Sequence, residues 1–324
     1  MNQTLNQQLS SIFRYIEADI GTSDLANLVI ESILNSVRNL KVKNVDEFYD
    51  QFKEVMLLIK STKPRIGIII TYFCDLWDEL ETEREKIKTV EQTYAILDKK
   101  IANIKKGNKD DLKKIIKTSL TCIEENDTIL IHSHSHTVLR VIENAWQKKK
   151  KFRVILAEQE EEKTKDIIRF LQNLEIPFFV VPEFMLSHIE HEVTKVFLGA
   201  LTFSTENTFV TDAGTNSVVA EFHHAKVPIY LFISTKKFSL WRIESKNHTY
   251  KIIKKNCCEM GKHGKNSINY ETIKFSHDRL PVDLVDQIIT EEGSYTAKTI
   301  LKAFKDKYRD RESWRKRHNL KEDY

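Results

Sequence analysis

Short apolar segments alternate with helical patterns between Asp127 and Phe238, and this alternation restricts the fold more than any other feature of the chain. The apolar segments are rich in β-branched and aromatic residues, and they cover residues 128–132, 153–158, 177–181, 195–200 and 228–233. Such runs are typical of strands buried on both faces of a sheet. Helical patterns cover residues 138–149, 163–174 and 216–225. The sequence therefore predicts an α/β fold with right-handed crossovers and an open parallel sheet.

A sheet of this kind binds ligands at the carboxyl ends of its strands, so the polar loops there are the candidate site. These loops comprise residues 132–136, Glu158, residues 199–207 and residues 212–217. In the last of them, Gly214 permits a close backbone approach, and Thr215 or Asn216 can cap a helix or bind a ligand.

Three histidines in the first loop leave two interpretations open. His132, His134 and His136 recur with a period of two, so an extended segment would direct all three to one side, where they could hold a metal. In the simpler interpretation, which we favour, Ser135 and Thr137 cap the next helix and its free amides form an anion site. We expect no metal and no cofactor, and the missing GxGxxG pattern disfavours NAD and FAD.

The periodicity of residues 1–125 predicts an all-helical domain of five or six helices. We expect residues 126–324 to form the α/β domain. Helix starts are expected at Thr22 or Ser23 and at Asn44. We expect a long charged helix over residues 79–106, a break at 106–111 and a last helix over 110–122. Residues 244–271 are expected to form a polar loop with at most one edge strand at 249–253. A C-terminal helix with a frayed basic end should follow residue 295.

Composition excludes several classes of protein. The 51 basic and 47 acidic residues nearly balance, which disfavours a dedicated nucleic-acid surface, and the lysines at 148–151 are expected to be a solvated helix end. No apolar run approaches the ~20 residues of a membrane span, and we expect no signal peptide and no membrane partner. The four cysteines are neither evenly spaced nor arranged in paired CxxC motifs, so the expected compartment is a reducing cytoplasm.

The segments also resemble one family. Residues 128–158, 195–200, 214–216, 227–231, 237–238 and 289–293 follow the order and spacing of the alpha, beta and delta subunits of translation initiation factor 2B and their archaeal relatives. The same family includes two isomerases that act on methylthioribose-1-phosphate and ribose-1,5-bisphosphate. The resemblance covers most of residues 10–300 and implies a helical domain before a Rossmann-like domain.

The chain departs from these isomerases at their reactive positions. The resemblance puts Ser133 where they have a cysteine and Leu201 where they have an aspartate, and neither residue replaces that chemistry. It puts Glu160 at an arginine position and Asp212 at a lysine position of the phosphate-binding loops, which changes the local charge by about four units. The degenerate pocket that remains would consist of Ser133, His134, Ser135, Glu158, Gly214, Thr215 and Lys237.

The resemblance therefore implies a subunit without catalytic residues that assembles with like-folded subunits. Such a subunit would contact the alpha subunit of initiation factor 2 and regulate guanine-nucleotide exchange. A nucleotide or a sugar phosphate is the candidate ligand of its pocket. The alternative is a sugar-phosphate isomerase that uses His132, His134 or Glu158 as its base. A metal hydrolase built on the three histidines is a third hypothesis.

Overall fold

The computed structural model of the protein describes residues 20–39, 42–61, 66–159, 161–240, 250–261, 264–275 and 277–317, together with residues 8, 9, 12, 13 and 16. It has a helical region followed by a parallel sheet with helices on both faces, as the sequence predicted. Within the described ranges, none of the helices is long and apolar enough to cross a bilayer.

The described part of the helical region contains four long helices with one shared core. Their bounds are α1 Thr22–Asn39, α2 Val45–Ser61, α3 Gly67–Glu83 and α4 Val90–Ser119. The expected starts at Thr22 and Asn44 are confirmed, and the Asn44 side chain accepts a hydrogen bond from the Glu47 amide. Aromatic rings of α2 and α3 pack together in the core, for example Phe52 against Phe73 and Trp77.

Two predictions about the fourth helix are wrong. The expected helix over 79–106 is interrupted, because Thr89 and Gln92 form a capping box that starts α4 anew at Val90. The expected break at 106–111 is absent, since α4 continues through Gly107 and Asn108. A glycine costs a helix only about 1 kcal/mol, and the Asn108 side chain offsets this by bonding to Tyr72 and Asn27.

The main sheet has the strand order β12-β11-β7-β4-β1-β2-β3, and its pairs are parallel except for β12 with β11. Its strands are β1 Asp127–Ile131, β2 Phe152–Glu158, β3 Phe178–Pro182, β4 Lys195–Gly199, β7 Ile229–Phe232, β11 Gln287–Thr290 and β12 Gly293–Tyr295. A smaller antiparallel sheet contains β5 Thr202–Phe203, β6 Thr208–Thr211 and β10 Asp278–Pro281.

The sheet separates two apolar cores, which explains the nearly continuous apolar runs. Ile129 and Ile131 pack in the core beneath α5 (His136–Gln147) and α6 (Glu161–Asn173), whereas Leu130 packs in the opposite core. The opposite core contains residues of α7 (Thr215–His224) and α8 (Ala297–Arg317). Successive side chains of a strand point to opposite faces, so a strand between two cores needs apolar residues at every position.

The boundary after residue 125 stays a prediction. Ile101 and Ile104 of α4 pack in the core of the helical region, whereas Ile115 packs in a core of the sheet. The same helix thus contributes to both parts of the molecule.

The expected polar loop over 244–271 is wrong for its described part. Strands β8 (Tyr250–Gly261) and β9 (Gly264–Phe275) form a long antiparallel hairpin, and Thr249 of the expected edge strand lies outside the described residues. Neither strand pairs with any other described strand.

The lysine run at 148–151 follows α5 but is not wholly solvated. Lys148 and Lys149 are exposed, whereas the Lys150 ammonium donates to the carbonyl oxygens of Leu120 and Ile123 at 2.8 and 2.5 Å. The expected C-terminal helix is confirmed as α8, and the expected frayed end after residue 317 lies outside the described residues.

Candidate functional site

A cavity of about 420 Å³ lies between the helical region and the carboxyl ends of the strands. Helices α1 and α4 form one wall, and the loops that follow β1, β4, β6 and β7 form the other. Its polar lining from the helices includes Asp24, Asn27, Glu31, Lys105, Asn108, Lys109 and Asp111. The loops contribute Ser133, His134, Ser135, His136, Thr137, Arg140, Leu201, Thr211, Asp212, Ser234 and Lys237.

The loop after β1 turns sharply, and this turn separates the three histidines. Ser133 has a φ of 72°, and Ser135 caps α5 by accepting from the Val138 amide at 3.4 Å. His134 and His136 stack edge to face at the cavity, with their ring centroids 4.8 Å apart. His132 is fully buried and bonds elsewhere, so the extended geometry of the metal hypothesis is wrong. In the part of the chain that the structure describes, no group of three His, Cys, Asp or Glu residues could hold a metal.

His132 lies at the centre of a polar cluster behind the cavity. Its Nε2 atom is 3.2 Å from the Glu183 carboxylate and 2.9 Å from the side-chain amide of Gln159. Its Nδ1 atom is 3.2 Å from the Thr215 hydroxyl, which itself donates to the Asp212 carbonyl oxygen at 2.7 Å. This cluster joins the loop after β1 to the loops that follow β2, β3 and β6.

The N-terminus of α7 binds a carboxylate side chain of the same protein. Gly214 caps the helix with a φ of 96°, and the Asp278 carboxylate accepts from the amides of Gly214 and Asn216 at 3.0 and 2.9 Å. A Cβ atom on Gly214 would lie 2.5 Å from the Glu183 carboxylate. Two acidic side chains therefore occupy the space where a phosphate would meet this helix.

Lys237 lines the cavity from within the protein. Its side chain is buried, and its ammonium donates to the Ala200 carbonyl oxygen at 3.0 Å. The loop that carries it packs closely on α3, since a Cβ atom on Gly67 would lie 3.1 Å from the Lys237 carbonyl oxygen.

The neighbouring Lys236 connects the sheet to the helical region, and sequence reasoning missed it. Its ammonium contacts Asp111 at 2.7 Å and Asn108 at 3.1 Å. Burial raises the pKa of Tyr72, so its hydroxyl stays protonated and donates to Asn108 at 2.5 Å. The carboxylate of Glu291 holds the loop by accepting from the Thr235 amide. The local sequence gave no signal for Lys236, because its partners Asn108 and Asp111 lie in a distant helix.

The cavity brings together only part of the predicted pocket. Ser133, His134, Ser135 and Lys237 line it, as do Leu201 and Asp212. Glu158 is exposed at the end of β2 and does not line it, and Gly214 and Thr215 lie behind it. Glu160 lies outside the described residues. Thr211 was missed, and its buried hydroxyl has no hydrogen-bond partner among the described residues.

Comparison of the sequence with protein families identifies a family that matches most of the chain. The pattern of the Initiation factor 2 subunit family covers residues 20–297. The translation initiation factor eIF2B subunit delta of Dictyostelium discoideum is 28% identical over 194 residues, which are 55% of this chain and 31% of that protein. The ribose 1,5-bisphosphate isomerase of Pyrococcus furiosus is 23% identical over 310 residues, which are 91% of this chain and 93% of that protein.

Solved structures share the fold at lower identity. The translation initiation factor eIF-2B of Pyrococcus horikoshii superposes with a TM-score of 0.70 at 20% identity, over 90% of this chain and 98% of that one. A chain of the tetrameric eIF2B-beta2-delta2 complex from C. thermophilum gives a TM-score of 0.64 at 17% identity, over 92% of this chain and 93% of that one.

Proposed function

This chain belongs to the Initiation factor 2 subunit family, and from this membership we propose that it is a non-catalytic regulatory subunit. It assembles with like-folded subunits and binds the alpha subunit of initiation factor 2. By this binding it regulates guanine-nucleotide exchange, which a separate catalytic subunit performs. The regulation of nucleotide exchange takes place in the cytoplasm.

The observation that carries the proposal is the chemistry of the cavity at two positions. Ser133 and Leu201 both line it, where the isomerases that the chain resembles have a cysteine and an aspartate. An unactivated serine hydroxyl is a far weaker nucleophile than a thiolate. Leucine has no proton to transfer, and such transfer typically contributes about 10²–10⁴-fold to a rate. The fold is therefore retained without the reactive pair.

The acidic side chains at α7 support the same conclusion. Asp278 holds the amides of Gly214 and Asn216, and Glu183 lies beside Gly214. A phosphate at this helix would have to displace one carboxylate and approach another. We propose that Ser133, His134, Ser135 and Lys237 bind a ligand, a nucleotide or a sugar phosphate, for sensing and not for turnover. Gly214 and Thr215 then support the fold behind that pocket.

Assembly is supported by the kind of molecule that the chain resembles. One of its structural neighbours is a chain of a tetramer of beta and delta subunits. The match to the Dictyostelium delta subunit spans 31% of that protein, so the activity of the whole delta subunit is extended to this chain only as a proposal.

Exchange kinetics test the proposal. Initiation factor 2 loaded with a fluorescent GDP analogue is mixed with a catalytic exchange subunit, with and without this chain, and the release rate is followed. We expect the chain to change this rate and to co-purify with the alpha subunit of initiation factor 2. The proposal is wrong if the chain neither binds initiation factor 2 nor changes the rate.

A sugar-phosphate isomerase is the second candidate, because four cationic side chains are among the residues that line the cavity. Lys105, Lys109, Arg140 and Lys237 all line it. The isomerase of Pyrococcus furiosus also matches along nearly its whole length.

Incubation of the purified chain with ribose-1,5-bisphosphate and methylthioribose-1-phosphate separates the two candidates. We expect no product. Turnover that is lost in His134→Ala and kept in His224→Ala, which changes an exposed histidine of α7, would establish the isomerase instead.

A further inference from the structure

A line of positive charge follows the exposed side of α8. Successive residues of an α-helix are rotated by about 100°, so residues separated by three, four, seven or eleven positions share a face. Five exposed basic residues have this spacing, and they are Lys298, Lys302, Lys305, Arg309 and Lys316. They lie within an arc of about 60° and over a length of about 27 Å. We call these five residues the basic stripe.

Helix α8 has a larger net charge than the whole chain. Residues 297–317 contain nine lysine and arginine residues and three acidic residues, a net charge of +6, whereas the complete chain has +4. The rest of the chain is therefore slightly acidic, and the near balance of the overall composition hides a local basic excess. Basic residues clustered along one helix are the pattern expected of a surface that binds a polyanion.

Most charges of the basic stripe are not neutralised by the protein itself. The ion pairs of α8 involve Lys307, Arg309 and Arg311. In the ranges that the structure describes, no carboxylate forms an ion pair with any of the four lysines of the stripe. Ammonium groups that lie near others of the same sign repel one another, and a polyanion relieves this repulsion when it binds.

The opposite side of α8 packs on the rest of the protein. Ile300 and Phe304 are buried in a core of the main sheet, and Arg311 contacts two carboxylates of α3. A helix that binds a membrane inserts its apolar face into the lipid, but the apolar face of α8 is already covered. The helix is therefore a fixed support that presents the basic stripe to water, and a lipid surface is not its partner.

The composition of the basic stripe favours a nucleic acid over a protein. Protein interfaces have an apolar or aromatic centre, and lysine is depleted in them. Four of the five residues are lysines, and none of the large apolar side chains exposed in the described ranges lies on α8. Single strands are bound by stacking on aromatic rings, which the stripe lacks. Lysines without such rings instead suit the phosphate backbone of a double helix, which they bind independently of sequence.

We infer that the basic stripe binds the phosphate backbone of double-helical RNA. The choice of RNA over DNA rests on the proposed function, which assigns the chain to translation in the cytoplasm. The assignment to a polyanion rests only on the geometry and charge of α8. Glu312 continues the spacing of the stripe between Arg309 and Lys316, so its carboxylate opposes the binding of phosphate.

Binding of a labelled RNA duplex to the full chain tests the inference, by fluorescence anisotropy at several salt concentrations. The duplex has about 20 base pairs and no loop. The stripe variant replaces three lysines of the stripe, by Lys298→Gln, Lys302→Gln and Lys305→Gln. The control variant makes the same change of net charge at three scattered exposed lysines, by Lys88→Gln, Lys148→Gln and Lys226→Gln. All six positions are exposed, so both variants should fold, and circular dichroism checks this.

We expect the wild-type chain to bind the duplex with an affinity that falls steeply with salt. A logarithmic plot should have a slope of about −4, because each of five phosphate contacts contributes about 0.9. The stripe variant should reduce this slope by about three and lower the affinity at least about tenfold for any duplex sequence. The control variant should change the affinity less than about twofold, because salt screens distant charges. Glu312→Gln should raise the affinity about twofold, since a repelling charge is removed.

Other outcomes overturn the inference. If the stripe and control variants lose the same affinity, net charge alone acts and the stripe is not the site. If a DNA duplex or a single RNA strand of the same sequence binds more tightly, the assignment to double-helical RNA is wrong. If an acidic peptide binds more tightly than the duplex and needs the same lysines, the partner is a protein. If the wild-type chain binds none of these probes at low salt, no polyanion docks on α8. The exchange assay of the proposed function is a separate measurement, so regulation of exchange can persist where RNA binding fails.

Discussion

The guanidinium of Arg311 in α8 lies 3.5 Å from the carboxylate of Asp78 in α3, although the two residues are 233 positions apart. The same guanidinium is 3.7 Å from Asp75. Side chains of Arg311 and Asp78 are almost fully buried. The C-terminal helix is therefore bound to the helical region by this ion pair. Burial raises the pKa of Asp75 even though the Arg311 guanidinium lies nearby.

Removal of this cation should destabilise the fold. Arg311→Met leaves Asp75 and Asp78 without the guanidinium, and we expect a loss of about 2–3 kcal/mol in the free energy of unfolding at pH 7. Burial raises the pKa of Asp75, so folding favours the protonated form of this carboxyl group. The contribution of Asp75 to the free energy of unfolding is therefore present below its ordinary pKa and is lost as the pH rises through the raised pKa. The loss should thus be smaller at pH 4 than at pH 7 in urea titrations. Arg309→Met, at an exposed arginine paired with Asp306, should cost far less.

The contact between Gly214 and Glu183 gives a second prediction. Gly214→Ala places a Cβ atom 2.5 Å from the Glu183 carboxylate at a φ of 96°, so both clash and backbone strain arise. We expect it to cost more than about 2 kcal/mol. Gly293→Ala is the control, because its φ is 137° and no atom lies within 4 Å of the added Cβ, so strain alone acts. Thermal melts should show that Glu183→Ala partly rescues Gly214→Ala and leaves Gly293→Ala unchanged.

The carboxylate of Asp278 acts as an internal anion, and its removal should open the N-terminus of α7. Asp278→Ala leaves the amides of Gly214 and Asn216 free, with an expected loss of about 1 kcal/mol. Sulfate or phosphate should then raise the melting temperature of this variant more than that of the wild type. The exposed Asp283→Ala serves as the control. Equal anion effects on all three proteins would contradict this role for Asp278.

Two threonines near the cavity should respond in opposite ways to the loss of a hydroxyl. Thr211→Val removes a buried hydroxyl that has no partner among the described residues, so we expect the free energy of unfolding to rise by up to about 1 kcal/mol. Thr215→Val removes the donor to the Asp212 carbonyl oxygen and the contact with His132, and it should cost about 1–2 kcal/mol. Urea titrations measure both. A destabilising Thr211→Val would mean that its hydroxyl has a bonding partner.

Local sequence patterns predicted β1, β2, β3, β4 and β7 of the main sheet to within a residue or two, whereas β11 and β12 were not predicted. Residues 128–132 became β1 and residues 153–158 became β2, because a strand between two cores must be apolar throughout. The same reasoning failed for residues 250–275, whose strands pair only with each other among the described strands, and at Gly107, where side-chain contacts sustain the helix. It also gave no signal for Lys236, whose partners Asn108 and Asp111 lie in a distant helix.

The candidate site was only half predictable for a related reason. Proximity to a strand end correctly placed Ser133, His134 and Ser135 at the cavity, since such loops cluster at one edge of the sheet. Glu158 also ends a strand, but it is exposed and does not line the cavity.

The sequence by itself determined that a helical region precedes an α/β region, that the central strands are parallel, and at which edge of the sheet a ligand could bind. Each of these follows from local periodicity, which a folded core imposes on neighbouring residues. Only the tertiary structure decided that Asp278 occupies the amides of α7, that His132 turns to Glu183 and that Arg311 meets Asp78. These contacts join residues far apart in the chain, and their partners are set by how the loops pack, for which local periodicity has no signal.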